Sequence, residues 1–419
     1  MHEFRTRAAV HDNEDPLKHF RERFVLTDAE LIYLDGNSLG RMPKQATEIA
    51  RRLTEQQWGD RLIRSWGEGW YDLPQRLGAK IANLIGAQPD EVLVTDSTSV
   101  NFFKLAIAAL QARPDRSVIV SEQTNFPSDL YLLQGCAQLL TGKRIESVSS
   151  KDGITIPPEQ IEANLTRDTA LLTLSHTAFK SGFVHDMARL TKAAHQVGAL
   201  SLWDLSHSVG ALQIDLNGCN ADLAVGCCYK YLNGGPGAPA FMYVRKDLQD
   251  QLTSPIWGWF GQSRPFDFDL DYKPAAGLAR FLAGTPPIFS LAMVEPGLDL
   301  LIEAGMDHVR RKSVQQTEFL IEMIDERLKP LGVEISSPRE AHQRGSHVSI
   351  RHPNALKIDR ALIEEMNVIP DFRTPDNIRL GIAPLYTTYV ELVEGVERIA
   401  KVIEERRYER YSNLADAVT

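Results

Sequence analysis

Between residues 90 and 245, short apolar runs alternate with helical patterns, and this alternation narrows the fold more than any other feature of the chain. "EVLVT" (91–95) leads into "SVNFFKLAIAALQA", "SVIVSE" (117–122) into "SDLYLLQGCAQLL", and "TALLTLSH" (169–176) into "DMARLTKAAHQVG". "ALSLWD" (199–204), "DLAVGCC" (222–228) and "APAFMYV" (238–244) follow. Strands that are apolar almost throughout are buried on both faces. The pattern therefore predicts an α/β fold with a mostly parallel sheet covered by helices. Ligands in such folds bind beyond the carboxyl ends of the strands, so the residues just after each strand matter most.

Residues 284–297, "GTPPIFSLAMVEPG", read as a connection. Past it come a helix from Asp307, short strands at 345–351 and 377–382, and a closing helix. In that helix Val390, Val393, Val396, Ile399, Ala400 and Ile403 share one face, a stripe suited to core packing. The expected organisation is a large domain over 31–291 and a smaller α/β domain built from 1–30 and 292–419. A chain of 419 residues is long enough for both.

Composition serves mainly to exclude. A net charge of −9 gives no electrostatic attraction to nucleic acid or anionic membranes. No apolar stretch is long enough to span a bilayer, and the N-terminus has no signal-peptide core. The cysteines, Cys136, Cys219, Cys227 and Cys228, form no CxxC pair and no zinc spacing. A cytoplasmic protein with no metal site is the expectation.

Four strand ends carry candidate chemistry. Asp96-Ser97-Thr98-Ser99 opens a helix, either as a plain N-cap or as a phosphate cradle of hydroxyls and N–H groups. Phe126-Pro127-Ser128-Asp129 follows the next strand. Phe126 could stack on a planar ligand, or staple a helix capped by Ser128 or Asp129. Asp204 ends a buried strand and needs a donor or a cation, which a structural ion pair would also supply. Lys230 lies 26 positions on, beyond the next apolar run and before the glycine-rich "NGGPGAP". A lone buried ammonium tends to lose its proton, which makes the amine a nucleophile toward carbonyl carbon. An aspartate can hold a pyridine nitrogen protonated, a hydroxyl-rich helix start can hold a phosphate, and an aromatic can cover a ring. Together these are the requirements of pyridoxal 5′-phosphate. A nucleotide-loop reading of "GGPG" is weak, because no GKS or GKT ending and no helix follow.

At these residues the sequence resembles the fold-type I pyridoxal-phosphate enzymes, in the branch of the class V aminotransferases and cysteine desulfurases. Within that branch it is most similar to the kynureninase family. The supporting stretches include "YLDGNSLG" (33–40), "WGDRLIRSW" (58–66), "TDSTSVNFFK" (95–104), "TNFPSDLY" (124–131), "WDLSHSVGA" (203–211), "YKYLNGGPG" (229–237), "GWFGQ" (258–262), "RFLAGTPPI" (280–288) and "RLGIAPLYTT" (379–388). A desulfurase would need a catalytic cysteine in a C-terminal loop, and no cysteine follows Cys228.

The resemblance implies the following roles. Lys230 is the lysine that joins the cofactor, Asp204 the partner of its ring nitrogen and Phe126 the stacking ring, with Pro127, Ser128 and Asp129 beside it. Ser97, Thr98 and Tyr229 lie on the phosphate side, and Tyr229 is also a candidate proton donor. His207 lies near cofactor and substrate. Trp259 and Thr285 reach the phosphate of a neighbouring subunit, which implies a homodimer. Arg379 pairs with the substrate carboxylate, and Trp66 and Ser38 join the substrate pocket. Plainer readings stand beside these: a surface strand residue for Arg379, packing for Trp259 and Trp66, a core histidine for His207, a turn for Ser38. The implied activity is hydrolysis of L-kynurenine, or 3-hydroxy-L-kynurenine, to the anthranilate and L-alanine, in tryptophan degradation and NAD-precursor metabolism. A cysteine or selenocysteine lyase and a non-catalytic binding protein on the same fold are the alternatives.

Overall fold

The computed structural model describes residues 1–412, so residues 413–419 of the expected smaller domain lie outside it. The chain opens with helix α1 (His2–Glu14), strand β1 (Ile32–Tyr33) and helices α2 (Gln45–Arg52) and α3 (Leu73–Leu84). Then follow β2 (Val92–Thr95), α4 (Thr98–Gln111), β3 (Val118–Glu122), α5 (Pro127–Leu139), β4 (Arg144–Val148), α6 (Pro158–Glu162) and β5 (Thr169–Ser175). Helix α7 (Met187–Val197) precedes β6 (Leu200–Asp204), β7 (Leu223–Gly226) and β8 (Ala240–Val244).

Strands β2 to β8 form one sheet in the order β2-β8-β7-β6-β5-β3-β4. The pairs from β4 across to β7 are parallel, and β8 runs antiparallel to both of its neighbours. Strands β2, β3 and β5 to β8 are buried along their whole length, as their unbroken apolar runs require. Strand β4 has no counterpart among the expected strands. Its sequence RIESV lies at the sheet edge with only Val148 buried, so it shows no apolar run.

The stretch 284–297 is more than a connection. It contains α8 (Ile288–Ala292) and the start of α9 (Glu295–Ala304). Pro287 immediately precedes α8 and Pro296 sits in the first turn of α9, where a missing N–H costs nothing. Side chains from Ile288 to Val309 join the core beneath the large sheet, as do Leu17, Phe20 and Phe24. Packing against that sheet therefore continues past residue 291 and also draws on the first thirty residues.

A second core gathers α10 (Met306–Met323), β9 (Glu334–Ile335), β10 (His347–Arg351), α11 (Ala355–Met366), β11 (Val368–Ile369), β12 (Asp371–Arg373), β13 (Asn377–Gly381) and α12 (Tyr389–Glu404). Its antiparallel sheet has the order β12-β13-β10-β9, and β1 pairs with β11. Phe4 and Ala8 of α1 join this core beside α12. The Asp12 carboxylate accepts from the N–H groups of Tyr389 (2.8 Å) and Val390 (3.0 Å), so one end of the chain caps the last helix. Val390 is exposed, contrary to the expected stripe: it lies in the first turn, and Leu392 takes its place on the buried face. No helix among the described residues is long and apolar enough to cross a membrane.

Candidate active site

Strands β6 and β7 lie side by side, with Asp204 opposite Val225, so their carboxyl ends open into one space. After β7 the chain makes a tight turn. The N–H of Cys227 donates to Ser206 Oγ (3.2 Å), Asn233 N–H to the Lys230 carbonyl (2.9 Å) and Gly234 N–H to the Cys228 carbonyl (2.8 Å). Asn233, Gly235 and Gly237 adopt left-handed conformations that close the loop. The N–H of Gly40 donates to the Tyr229 carbonyl (2.8 Å), so the N-terminal segment presses on the same turn. Lys230 is thereby held inside, with Nζ 5.7 Å from the Phe126 ring centre and 5.8 Å from that of Tyr229.

Burial drives the Lys230 ammonium below its ordinary pKa, against the pull of Cys227 and Asp204. His207 Nε2 accepts from Lys230 Nζ at 3.3 Å and from Arg379 Nη1 at 3.4 Å. Burial, and then the neighbouring Lys230, hold this imidazole well below its usual range, so it is neutral. Asp204 accepts the N–H of Ser206 (2.7 Å). Beside it lies Asp129, whose carboxyl is raised well above the usual range by burial and by the Asp204 charge. One oxygen of Asp129 is buried without a hydrogen-bond partner.

Phe126 precedes α5, which begins at Pro127, so neither Ser128 nor Asp129 is the helix cap; both lie in the first turn. The Phe126 N–H donates to Asn125 Oδ1 (3.0 Å), which also accepts the Ser175 hydroxyl. Phe126 meets Phe179 edge-on at 5.3 Å. Ser97 caps α4, accepting the Val100 N–H at 3.3 Å, with Thr98 next to it, and Ser128 Oγ lies 3.1 Å from Ser99 Oγ.

Arg379 is no surface residue; it is 1% exposed. Strand β13 places it opposite Asp371 of β12, with which it forms an ion pair. It also donates to the Phe179 carbonyl (2.7 Å) and to Ser38 Oγ (2.8 Å). Asn37, with its amide oxygen turned inward, accepts from Arg379 Nε at 3.3 Å. Burial lowers the guanidinium to about 10. Large sheet, small sheet and N-terminal segment thus converge on one side chain.

A family model described as the kynureninase C-terminal domain matches residues 309–399. A kynureninase from Pseudomonas fluorescens is 44% identical over 403 residues, 95% of each chain. One from Burkholderia mallei is 44% identical over 406 residues, 96% of this chain and 95% of that one. The chain belongs to the kynureninase family. Among solved structures, a cysteine desulfurase from Thermococcus onnurineus superposes with a TM-score of 0.80 at 20% identity, over 93% of this chain and 98% of that one. One from Escherichia coli gives 0.78 at 16%, over 93% and 98%. These two bear on the fold alone, the fold-type I architecture.

The residues present fit pyridoxal 5′-phosphate, the cofactor of the kynureninase family. A buried amine with a lowered pKa, two buried carboxyl groups with one oxygen unpartnered, and a hydroxyl-rich helix start make up the cluster. Three expected residues stand apart from this cluster. Trp66 packs on Trp70 (5.7 Å) and Phe260 (5.8 Å). Trp259 is 43% exposed and donates to the Pro265 carbonyl. Thr285 is exposed. Sequence reasoning did not single out Asn125, Ser175, Phe179 or Asp371. Asn37 lay within a quoted motif, "YLDGNSLG", without being read.

Proposed function

We propose that the chain hydrolyses L-kynurenine, and 3-hydroxy-L-kynurenine, to the corresponding anthranilate and L-alanine, using pyridoxal 5′-phosphate. The observation that carries this reading is the meeting of Lys230 and Arg379 at the buried His207, with Asp204 near enough to Lys230 to act on its charge. Family membership supports it. When bound, the cofactor supplies a protonated ring that draws electrons from the substrate's α- and β-carbons.

The residues divide the remaining work. Lys230 would hold the cofactor through its amine and, once freed, would take the proton from the substrate α-carbon. Asp204 would pair with the cofactor's ring nitrogen and favour its protonated form, and Asp129 beside it has its carboxyl raised by burial and by the Asp204 charge. Phe126 covers the ring, backed by Pro127 and Ser128. Ser97, Thr98 and the first turn of α4 hold the phosphate. Arg379, steadied by Ser38, pairs with the α-carboxylate. Water adds to the γ-carbonyl, the Cβ–Cγ bond breaks, and the anthranilate leaves with the acyl carbon. Tyr229, whose hydroxyl the neighbouring Cys227 and then burial raise above its ordinary range, would deliver the β-carbon proton.

The reading includes a homodimer in which Trp259 and Thr285 serve the partner's phosphate. Exposed Trp257, Trp259, Phe266, Phe268 and Leu270 make an apolar face that supports it. It also places the protein in the cytoplasm, where buried thiols such as Cys136, Cys227 and Cys228 stay reduced.

The test is to mix cofactor-loaded protein with L-kynurenine, follow anthranilate fluorescence and assay alanine in parallel. Equal amounts of both products are expected. Sulfide or selenide release from cysteine or selenocysteine, with no anthranilate from either kynurenine, would overturn the reading.

A further inference from the structure

Lys104 lies in α4, is fully buried and takes no part in the chemistry above. A cation in that position must be paired. Its Nζ donates to Asp96 Oδ2 at 2.6 Å and to the Phe281 carbonyl at 2.7 Å. These two partners sit at the two ends of the phosphate question.

Asp96 is the residue at which β2 turns into α4. Its φ is +46°, a left-handed conformation that aspartate tolerates better than most residues. Its carbonyl accepts the Ala240 N–H (2.8 Å), and Asn101 Nδ2 ties down the neighbouring Thr95 carbonyl (2.7 Å). The next residues are Ser97 and Thr98. On the other side, Phe281 ends a short helical turn (Gly277–Phe281) that leads straight to Thr285. Within that stretch the Ala283 carbonyl accepts the Phe260 N–H (3.0 Å), and a Cβ on Gly258 would stand 2.4 Å from the same oxygen. The segment is therefore packed tightly against the loop carrying Trp259.

We propose that Lys104 is a positioning residue for the cofactor phosphate. It pins the Asp96 turn so that Ser97, Thr98 and the first N–H groups of α4 converge. It also locks that turn to the segment leading to Thr285, which packs on the loop carrying Trp259. The proposal rests on the pyridoxal-phosphate reading above.

The apo forms of the parent protein, Lys104→Met and Asp96→Asn are titrated with pyridoxal 5′-phosphate and with pyridoxal, which lacks the phosphate. Binding is followed by the absorbance of the bound ligand. Each variant should bind pyridoxal phosphate at least about tenfold more weakly, with pyridoxal changed less than about twofold. Equal weakening toward both ligands, or none, would overturn the proposal. Should Lys104→Met not fold, Asp96→Asn is judged by the same ratio, since asparagine also accepts the left-handed turn. A parent that binds pyridoxal as tightly as pyridoxal phosphate would refute a phosphate grip. A parent that binds neither would overturn the cofactor reading itself, and the proposal with it.

Discussion

Lys230 Nζ and His207 Nε2 face each other at 3.3 Å inside the protein. Two bases this close, both desolvated, cannot both be charged without large cost, and each is held below its ordinary value. The imidazole is thus a neutral acceptor shared between the lysine amine and the Arg379 guanidinium.

Lys230→Ala should leave no covalent attachment point for the cofactor. Borohydride treatment followed by mass spectrometry should fix cofactor mass on the parent chain and none on the variant. Attachment persisting in the variant would refute the lysine assignment.

Asp129 and Asp204 should respond differently to amide substitution. Burial and the neighbouring Asp204 charge raise the Asp129 carboxyl well above its usual range, which favours the neutral form that Asp129→Asn imitates. Cofactor binding should change less than about threefold, on the order of half a kcal/mol. Asp204→Asn removes the charge proposed to keep the ring nitrogen protonated and should lower kcat by about a hundredfold or more. Steady-state kinetics with equilibrium dialysis separates the two outcomes.

Arg379→Lys keeps a positive charge but loses the planar fork. KM for kynurenine should rise about tenfold, with a much smaller change in kcat. An inhibitor lacking the α-carboxylate should bind parent and variant alike. An unchanged KM would remove Arg379 from carboxylate recognition.

Gly40 touches the lysine turn. A Cβ there would stand 2.3 Å from both the Lys230 carbonyl and Asn233 Oδ1, so Gly40→Ala must displace that turn. A stability loss of about 1–3 kcal/mol is expected, together with a shifted absorbance of the bound cofactor. Gly135→Ala is the control: nothing lies within 4 Å of its Cβ, and alanine favours the helix. Urea unfolding and visible spectra check both.

Acid should destabilise the apoprotein early. Burial pushes His176 and His347 down to about 3, and His207 also falls well below the ordinary histidine value of 6.5. Below pH 6.5 the unfolded chain takes up protons that the folded chain refuses, so stability present above 6.5 is lost as pH falls. The slope should be about 1.4 kcal/mol per pH unit for each histidine until its folded value is reached. His176 has an unpartnered Nδ1 and stands edge-on to Trp203 at 6.2 Å, so His176→Phe keeps the ring contact. Urea midpoints measured between about pH 7 and pH 5 should show a shallower slope for that variant.

The large sheet was legible because β2, β3 and β5 to β8 are buried on both faces and so must be written in apolar residues. Strand β4 was hidden because an edge strand with exposed RIES needs no such run. Helices α8 and α9 were hidden by prolines that mark helix starts as readily as breaks. Lys230 and Asp204 stood out as ionisable groups beside apolar runs. The supports of Arg379 could not be read ahead, because the Phe179 carbonyl lies 200 positions away and Ser38 lies 341. Lys104 looked like one more residue in a helical pattern until its partners at Asp96 and Phe281 were in place.

Asp12 bears on how the protein can be handled. Its carboxylate holds the first turn of the last helix, and that helix packs in the same core as the strand carrying Arg379. Removing the first turns of α1 would therefore loosen the packing beneath the strand that carries Arg379. An affinity tag is better attached where it leaves Asp12 seated.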